Sequence, residues 1–284
     1  MSTKEQPEDA IDESEMTGTA EPGSSSIVPQ KRNAFSELMA PKPKYKVKHM
    51  PKPGSVDPHT EATGYLGRNG LSAYIVNPSK FPLDRVISYN DDFTVINDLF
   101  PKSSVHILLL PRDLKKTTMH PFEALEDPDF QKSVQVEVDK LKVLVAKELQ
   151  RRYGKDSALE RKRLEAMDAD PPPDVLPEGR DWSNEIISGV HAHPSMNHLH
   201  IHVLSKDRVS QCMKHRKHYN SFATPFLVPV EDFPLAENDK RRHPTTAGYL
   251  QSDLRCWRCG EIFGNKFVKL KEHLDEEFEE WKKI

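Results

Sequence analysis

The chain has 284 residues, of which 36% are hydrophobic and 23 are proline, and its formal net charge is −3. That length allows one or two domains with a real core, while the proline-rich, apolar-poor balance implies disordered stretches beside the folded part. The charge excludes a uniformly basic nucleic-acid binder, three cysteines exclude a disulfide scaffold, and no apolar run is long enough for a membrane span or a signal segment, so a soluble protein of a reducing compartment is expected.

In chain order, residues 1–22 gather Glu5, Glu8, Asp9, Asp12, Glu13, Glu15 and Glu21 against Lys4, and residues 31–52 gather Lys31, Arg32, Lys42, Lys44, Lys46, Lys48 and Lys52 against Glu37. A basic arm thus follows an acidic tail, and it suits phosphate binding or nuclear import as well as it suits a solvated linker. Residues 1–60 lack apolar periodicity and are expected to be disordered. Within them Phe35, Leu38 and Met39 have helical spacing, as in a short partner-binding element or a transient turn.

Order is expected from near Tyr65. GLSAYI, residues 70–75, reads as a short helix stopped by Asn77-Pro78. RVISYN (85–90) and FTVINDLF (93–100) read as a hairpin around Asp91-Asp92, and VHILLLPR (105–112) as a strand too apolar to be exposed on either face. From Pro121 to about Tyr153, Val134, Val138, Leu141, Val145 and Leu149 recur at helical spacing. Residues 154–181 are charged, contain Pro171-Pro172-Pro173, and read as a surface insertion. EIISGV (185–190) and LHIHVLS (199–205) are two further strands, followed by KHYNSF, the apolar PFLVPV, and a last unit ending in a charged helix. The expectation is an α+β body over residues 61–230, with about five strands and a long helix, and a small C-terminal module over 231–284.

HLHIHVL, residues 198–204, alternates imidazoles with apolar side chains. In a strand His198, His200 and His202 point one way and Leu199, Ile201 and Val203 the other, with neighbouring imidazoles roughly 6.5–7 Å apart. Three readings compete: histidines on a polar sheet face, a metal site needing a further ligand, and nucleophilic catalysis. In the last, a neutral imidazole attacks phosphorus while an acceptor holds its other nitrogen, and the remaining histidines bind the phosphate or protonate the leaving oxygen.

Near the end of the chain, Cys256-x2-Cys259 is followed, after thirteen intervening residues, by His273 and, after three more, by Glu277. A Cys-x2-Cys turn before a helix bearing an i, i+4 pair has the layout of a zinc finger, with Phe263, Phe267 and Leu270 as its small core and a structural zinc needed for folding. Glu277 stands where a histidine is usual. A carboxylate does bind zinc, and Asp275, Glu276, Glu279 and Glu280 are its rivals. Lys266, Lys269 and Lys271 suit phosphate contact, which the terminal acidic cluster opposes.

HLHIHVL matches the signature of the histidine triad family of nucleotide hydrolases and transferases. GVHAHPSMNHLHIHVLS, FPKSSVHILLLPR and KHYNSF further resemble the branch of that family that removes AMP from DNA 5′ ends, over roughly residue 64 to the last and without the 154–181 insertion. The resemblance implies a triad-type antiparallel sheet with helices. It implies a nucleophilic His200, which becomes transiently nucleotidylated, in a phosphate site with His191, Ser195, His202 and Lys217. It further implies nucleotide contacts from Asp98, His106, Met196 and His198, and DNA contacts from Lys102, Arg112, Ser210 and Lys266. Fungal members of the branch resemble this chain in a Cys-Cys-His-Glu zinc set, here Cys256, Cys259, His273 and Glu277. The expected substrate is an adenylated 5′ end, nicked or double-strand, stacked on the early helix near Tyr65–Tyr74, with AMP as product. A monomer in the nucleus is expected, with cytoplasm as a second location, no membrane association, and repair-protein partners recruited through the N-terminal arm. A hydrolase of AMP-lysine or dinucleoside polyphosphates and a non-catalytic DNA-end binder are the alternatives.

Overall fold

A computed structural model of the chain describes residues 67–284. The expectations for the N-terminal arm, the 33–39 element and Tyr65 fall outside the described residues. The described part begins with helix α1 (Ser72–Val76), the hairpin β1 (Val86–Tyr89) and β2 (Phe93–Asn97), and β3 (His106–Pro111). Helices α2 (Pro128–Tyr153) and α3 (Ala158–Asp168) follow, then β4 (Ile186–His191), β5 (Ile201–Ser205), α4 (Arg216–Ala223) and β6 (Leu227–Val228). The C-terminal unit holds the small hairpin β7 (Leu254–Arg255) and β8 (Ile262–Gly264) and helix α5 (Phe267–Lys283). Among the described residues no helix is long and apolar enough to cross a membrane.

The six strands form one sheet in the order β1-β2-β3-β5-β4-β6, every neighbouring pair antiparallel. Asn90 shapes the first hairpin, its side-chain oxygen accepting the backbone N–H groups of Asp92 and Phe93. One sheet face packs against α2 through Val134, Val138, Leu141, Val145 and Leu149. Leu199, Ile201 and Val203 lie in that core, as alternation requires. The opposite face is covered by α1 over β1–β3 and by α4 near Leu204 and Leu227, and the histidines lie between these two covers.

The sheet has six strands and not about five, because Leu227–Val228 of the apolar PFLVPV pair with β4, and two helical regions also differ from the sequence-based expectation. The helical run from Pro121 is broken: a single turn, Pro121–Ala124, precedes α2, which restarts at Pro128 with Asp127 as its cap. A residue before proline is pushed out of helical conformation, and the Asp127 carboxylate accepts the N–H groups of Asp129 and Phe130. The 154–181 segment is also more than a charged surface. It contains α3, and its Glu160 and Arg180 are buried. Glu160 accepts hydrogen bonds from Gln150 and Trp182 at 3.0 Å each. Arg180 pairs with Glu185 at 2.9 Å and donates to the carbonyl of Trp281 at 2.7 Å. Glu185 in turn accepts the indole N–H of Trp281 at 2.8 Å.

These contacts fuse the C-terminal unit to the body. Trp281 is 1% exposed and belongs to the main core, with Tyr153 and Trp182 at its edges and the Arg180 guanidinium over its ring. Leu254, Cys256, Leu270 and Leu274 pack with Met213 and Tyr219 of the body, while Phe263 and Phe267 are only partly buried. The expected self-contained finger core is therefore a shared one, because a unit this small buries too little apolar surface alone. Trp281→Ala should destabilise the whole chain by about 3–5 kcal/mol in urea unfolding; a loss below about 1 kcal/mol would contradict the shared core.

Candidate active site and zinc centre

Strand β5 lies between β3 and β4, with His202 opposite Leu108 and Gly189. Gly189 is dictated by packing, because a Cβ there would lie 2.4 Å from the carbonyl oxygen of Val228 in β6. Regular pairing starts at Ile201, so His198 and His200 sit on the approach to the strand and not within it. Two tethers hold that approach. The N–H of Leu199 donates to the carbonyl of Thr117 at 2.7 Å, and Asn197 bonds to the carbonyl of Arg68 and the side chain of Asn69, both at 2.9 Å.

His200 is buried, and its Nδ1 lies 2.8 Å from the carbonyl oxygen of His198. A carbonyl only accepts, so the proton is on Nδ1 and the lone pair on Nε2. Burial holds the ring below the ordinary histidine pKa, against the opposing pull of the His198 carbonyl and Asp98. His202 is fixed through a relay. The N–H of Lys102 donates to Nδ1 of His106 at 3.0 Å, and Nε2 of His106 lies 3.0 Å from Nδ1 of His202. With Nδ1 of His106 accepting, its proton is on Nε2 and donates to His202, whose own proton is then on Nε2. That N–H is buried without a hydrogen-bond partner among the described residues, as is Nε2 of His191.

The rings are packed into one block. His200 and His202 meet at 4.8 Å, and His191 and His202 at 4.4 Å. Phe222 of α4 stands edge-on to His202 at 5.1 Å and also touches His106 and His191. Burial pushes His191 and His202 well below the ordinary histidine pKa and His106 to about 4. Near neutral pH the 3.4 Å contact between Asp98 and His106 is therefore not an ion pair. Burial works against the Asp98 carboxylate, but His106 and Lys102 hold its pKa low, and one oxygen accepts the N–H of Phe100 at 2.8 Å. Ligand atoms of Asp98, His106 and His202 converge within 4.8 Å, yet the His106 ring stands between the other two with both nitrogens engaged. This is a proton-ordering relay and not a metal pocket.

The remaining expected residues divide. Ser195, Met196 and His198 line the half-buried loop before β5, and Lys217 lies in the first turn of α4. Lys102 is not a surface cation. Its side chain is buried and donates to the carbonyl of Phe100 at 2.7 Å, beneath the histidines. Arg112 clamps the carbonyls of Ile75 and Asn90, and the Ser210 hydroxyl donates to the carbonyl of Pro101. Lys266 is exposed at the start of α5. Tyr74 is no stacking platform, because it is buried with its hydroxyl bonded to Arg85 at 2.9 Å and its ring 4.3 Å from Phe81. Phe222, Thr117 and Asn197 have no chemistry of their own that marks them in the sequence; they matter through packing and backbone tethers.

In the C-terminal unit, donor atoms of Cys256, Cys259, His273 and Glu277 lie within 4.8 Å of one another. Sγ of Cys259 is 3.2 Å from Nε2 of His273, which is 3.4 Å from Glu277. Of the rival carboxylates none joins this group. Two thiols, one imidazole and one carboxylate brought together suit zinc, and Arg258 pairs with Glu277 as an outer partner.

Comparison with known proteins matches the HIT domain to residues 82–209 and the C2HE / C2H2 / C2HC zinc-binding finger to residues 223–280. The chain is similar to the aprataxin-like protein of Schizosaccharomyces pombe, 36% identical over 75% of this chain and 82% of that protein. It is also similar to the aprataxin-like protein of Saccharomyces cerevisiae, 34% identical over 74% of this chain and 95% of that protein. Among solved structures, the aprataxin ortholog Hnt3 in complex with DNA aligns with a TM-score of 0.60 and 35% identity, over 75% of this chain and 96% of that one. Hnt3 in complex with DNA and guanosine aligns with a TM-score of 0.58 and 34% identity, over the same shares of 75% and 96%. With its triad leading into β5, its finger at the C-terminal end and these relatives across three quarters of its length, the chain belongs to the aprataxin branch of the histidine triad family.

Proposed function

We propose that the chain is a DNA 5′-adenylate hydrolase that removes AMP from the ends of abortive ligation intermediates through a covalent His200–AMP intermediate. The observation that carries this reading is the hydrogen bond from Nδ1 of His200 to the carbonyl of His198, which leaves a buried, neutral Nε2 as the only nucleophilic atom of that ring. Nε2 attacks the adenylate phosphorus in line. The N–P bond forms as the phosphoanhydride P–O bond breaks, and the DNA 5′-phosphate departs with the bonding electrons. His202 and His191 present neutral N–H donors to the phosphoryl oxygens, and Lys217, Ser195 and the buried Lys102 add charge and hydrogen bonds where negative charge builds. Water then attacks the adduct, the N–P bond breaks, AMP and a proton leave, and His200 is neutral again.

Relatives solved with DNA, one of them with guanosine as well, support a DNA substrate. The Cys256, Cys259, His273 and Glu277 set would hold a structural zinc, with no part in the phosphoryl chemistry. Residues 1–60, 61–230 and 231–284 serve as arm, catalytic domain and finger in this reading, and the protein acts as a nuclear monomer.

His200→Ala should lower AMP release from an adenylated nick by at least about 10³-fold while DNA affinity in gel shift stays within about threefold; turnover near the wild-type rate would exclude the covalent route. The His200 pKa is depressed and the neutral form reacts, so kcat/KM should stay flat from about pH 8 down past 6.5, the ordinary histidine value, and fall only below it. A fall centred at or above that value would contradict the buried neutral nucleophile. The purified chain should carry one zinc by elemental analysis. Glu277→Ala should weaken its retention against a chelator at least about tenfold, since even outer-sphere losses cost that much.

A further inference from the structure

Beside the triad lie two imidazoles that the reaction as derived does not use. His215 immediately precedes α4 and His218 lies in its first turn. Their rings meet edge to face with centroids 5.0 Å apart. The backbone N–H of Lys214 donates to Nδ1 of His218 at 3.2 Å, which leaves that ring's proton on Nε2. His218 is 1% exposed. Its Nε2–H and Nε2 of His215 are both shut off from solvent with no hydrogen-bond partner among the described residues. A buried polar atom without a partner destabilises a fold, so two together require a reason.

The surrounding charge says what kind of acceptor fits. Burial first, then Lys102, His215 and Lys214, pushes His218 down to about 2 against the opposing pull of the Cys212 carbonyl, and no carboxylate is among the groups acting on it. Lys102 also acts on His191 and His202, so its charge is felt by both groups of imidazoles. Cys212, three residues before His215, does not bring its thiol into a convergent ligand set with the two rings, and the flanking cations oppose a metal ion. The neutral N–H donor of His218 beside ammonium groups suits a phosphate oxygen.

We propose that His215 and His218, with Lys102 and Lys214, form a second phosphate subsite, which holds the DNA phosphodiester adjoining the 5′-phosphate that leaves during attack by His200. This rests on the functional reading above and adds to it a determinant of preference for DNA over small adenylates. His218 binds by hydrogen bonding and not by charge, so it adds affinity without releasing counterions from the DNA.

The test uses the full chain with adenylated nicked DNA and, as a substrate without DNA, AMP-lysine. In His218→Asn the amide oxygen still accepts the Lys214 N–H but nothing occupies the Nε2 position, whereas His218→Gln places an N–H donor there. His218→Asn and the less buried His215→Ala should raise KM for adenylated DNA at least about tenfold and leave AMP-lysine turnover within about twofold, and His218→Asn should leave the salt dependence of DNA binding unchanged. His218→Gln should restore most of the loss. Equal losses on both substrates would overturn the subsite in favour of a role in positioning α4. A second zinc that disappears with His215→Ala would overturn it in favour of a metal site. Should the wild type release AMP from AMP-lysine and none from DNA, the functional reading fails. The subsite then stands only if both variants still weaken binding of 5′-phosphorylated DNA, and falls if they do not.

Discussion

One hydrogen bond orders the whole site: the Nδ1–H of His200 donates to the carbonyl of its near neighbour His198 at 2.8 Å. It is local, within a two-residue span, yet it holds only if the backbone there is rigid. Leu199 and Ile201, buried on the other side of the ribbon, and the bond from Leu199 to Thr117 supply that rigidity. A neutral imidazole turned the other way would offer an N–H where a lone pair is needed.

The same logic extends through the neighbouring rings. Lys102 fixes His106, His106 fixes His202, and each step sets one tautomer by a donor or acceptor that has no alternative. Phe222 and the rings themselves exclude water, which keeps the imidazoles uncharged. An uncharged donor set costs less to bury than a cluster of imidazolium ions would, and it leaves the anionic substrate to be met by a few ammonium groups. Helix α4 joins this block to the finger. It carries Phe222 against the histidines, while its Tyr219 hydroxyl donates to the carbonyl of Arg255, one residue before Cys256. A finger sharing its core with the catalytic domain is a wall of the same body and not a tethered accessory.

Much of this was legible in the sequence where a periodic pattern has a single physical meaning. Alternation in HLHIHVL gave the buried Leu199, Ile201 and Val203 and the opposed His200 and His202, and spacing favoured Glu277 over its acidic neighbours with support from the family resemblance. The misses have physical causes. Lys102 and Arg112 look like surface cations because a sequence does not show which carbonyls a folded chain leaves for them. Glu160 and Arg180 look like solvated charges because their partners, Trp182 and Trp281, become neighbours only once the C-terminal helix returns to the sheet. Burial of His215 and His218 is set likewise by long-range packing, which composition does not record.

The central claim is that Nε2 of His200 becomes bonded to phosphorus during turnover. The most direct measurement is to quench a reaction on adenylated DNA in mild alkali, where a phosphoramidate survives, and to locate the adduct by peptide mass spectrometry. The account predicts one AMP moiety on the peptide carrying His200, bonded at Nε2. An adduct on another residue, or product formation with no covalent species at any time during the first turnover, would contradict it.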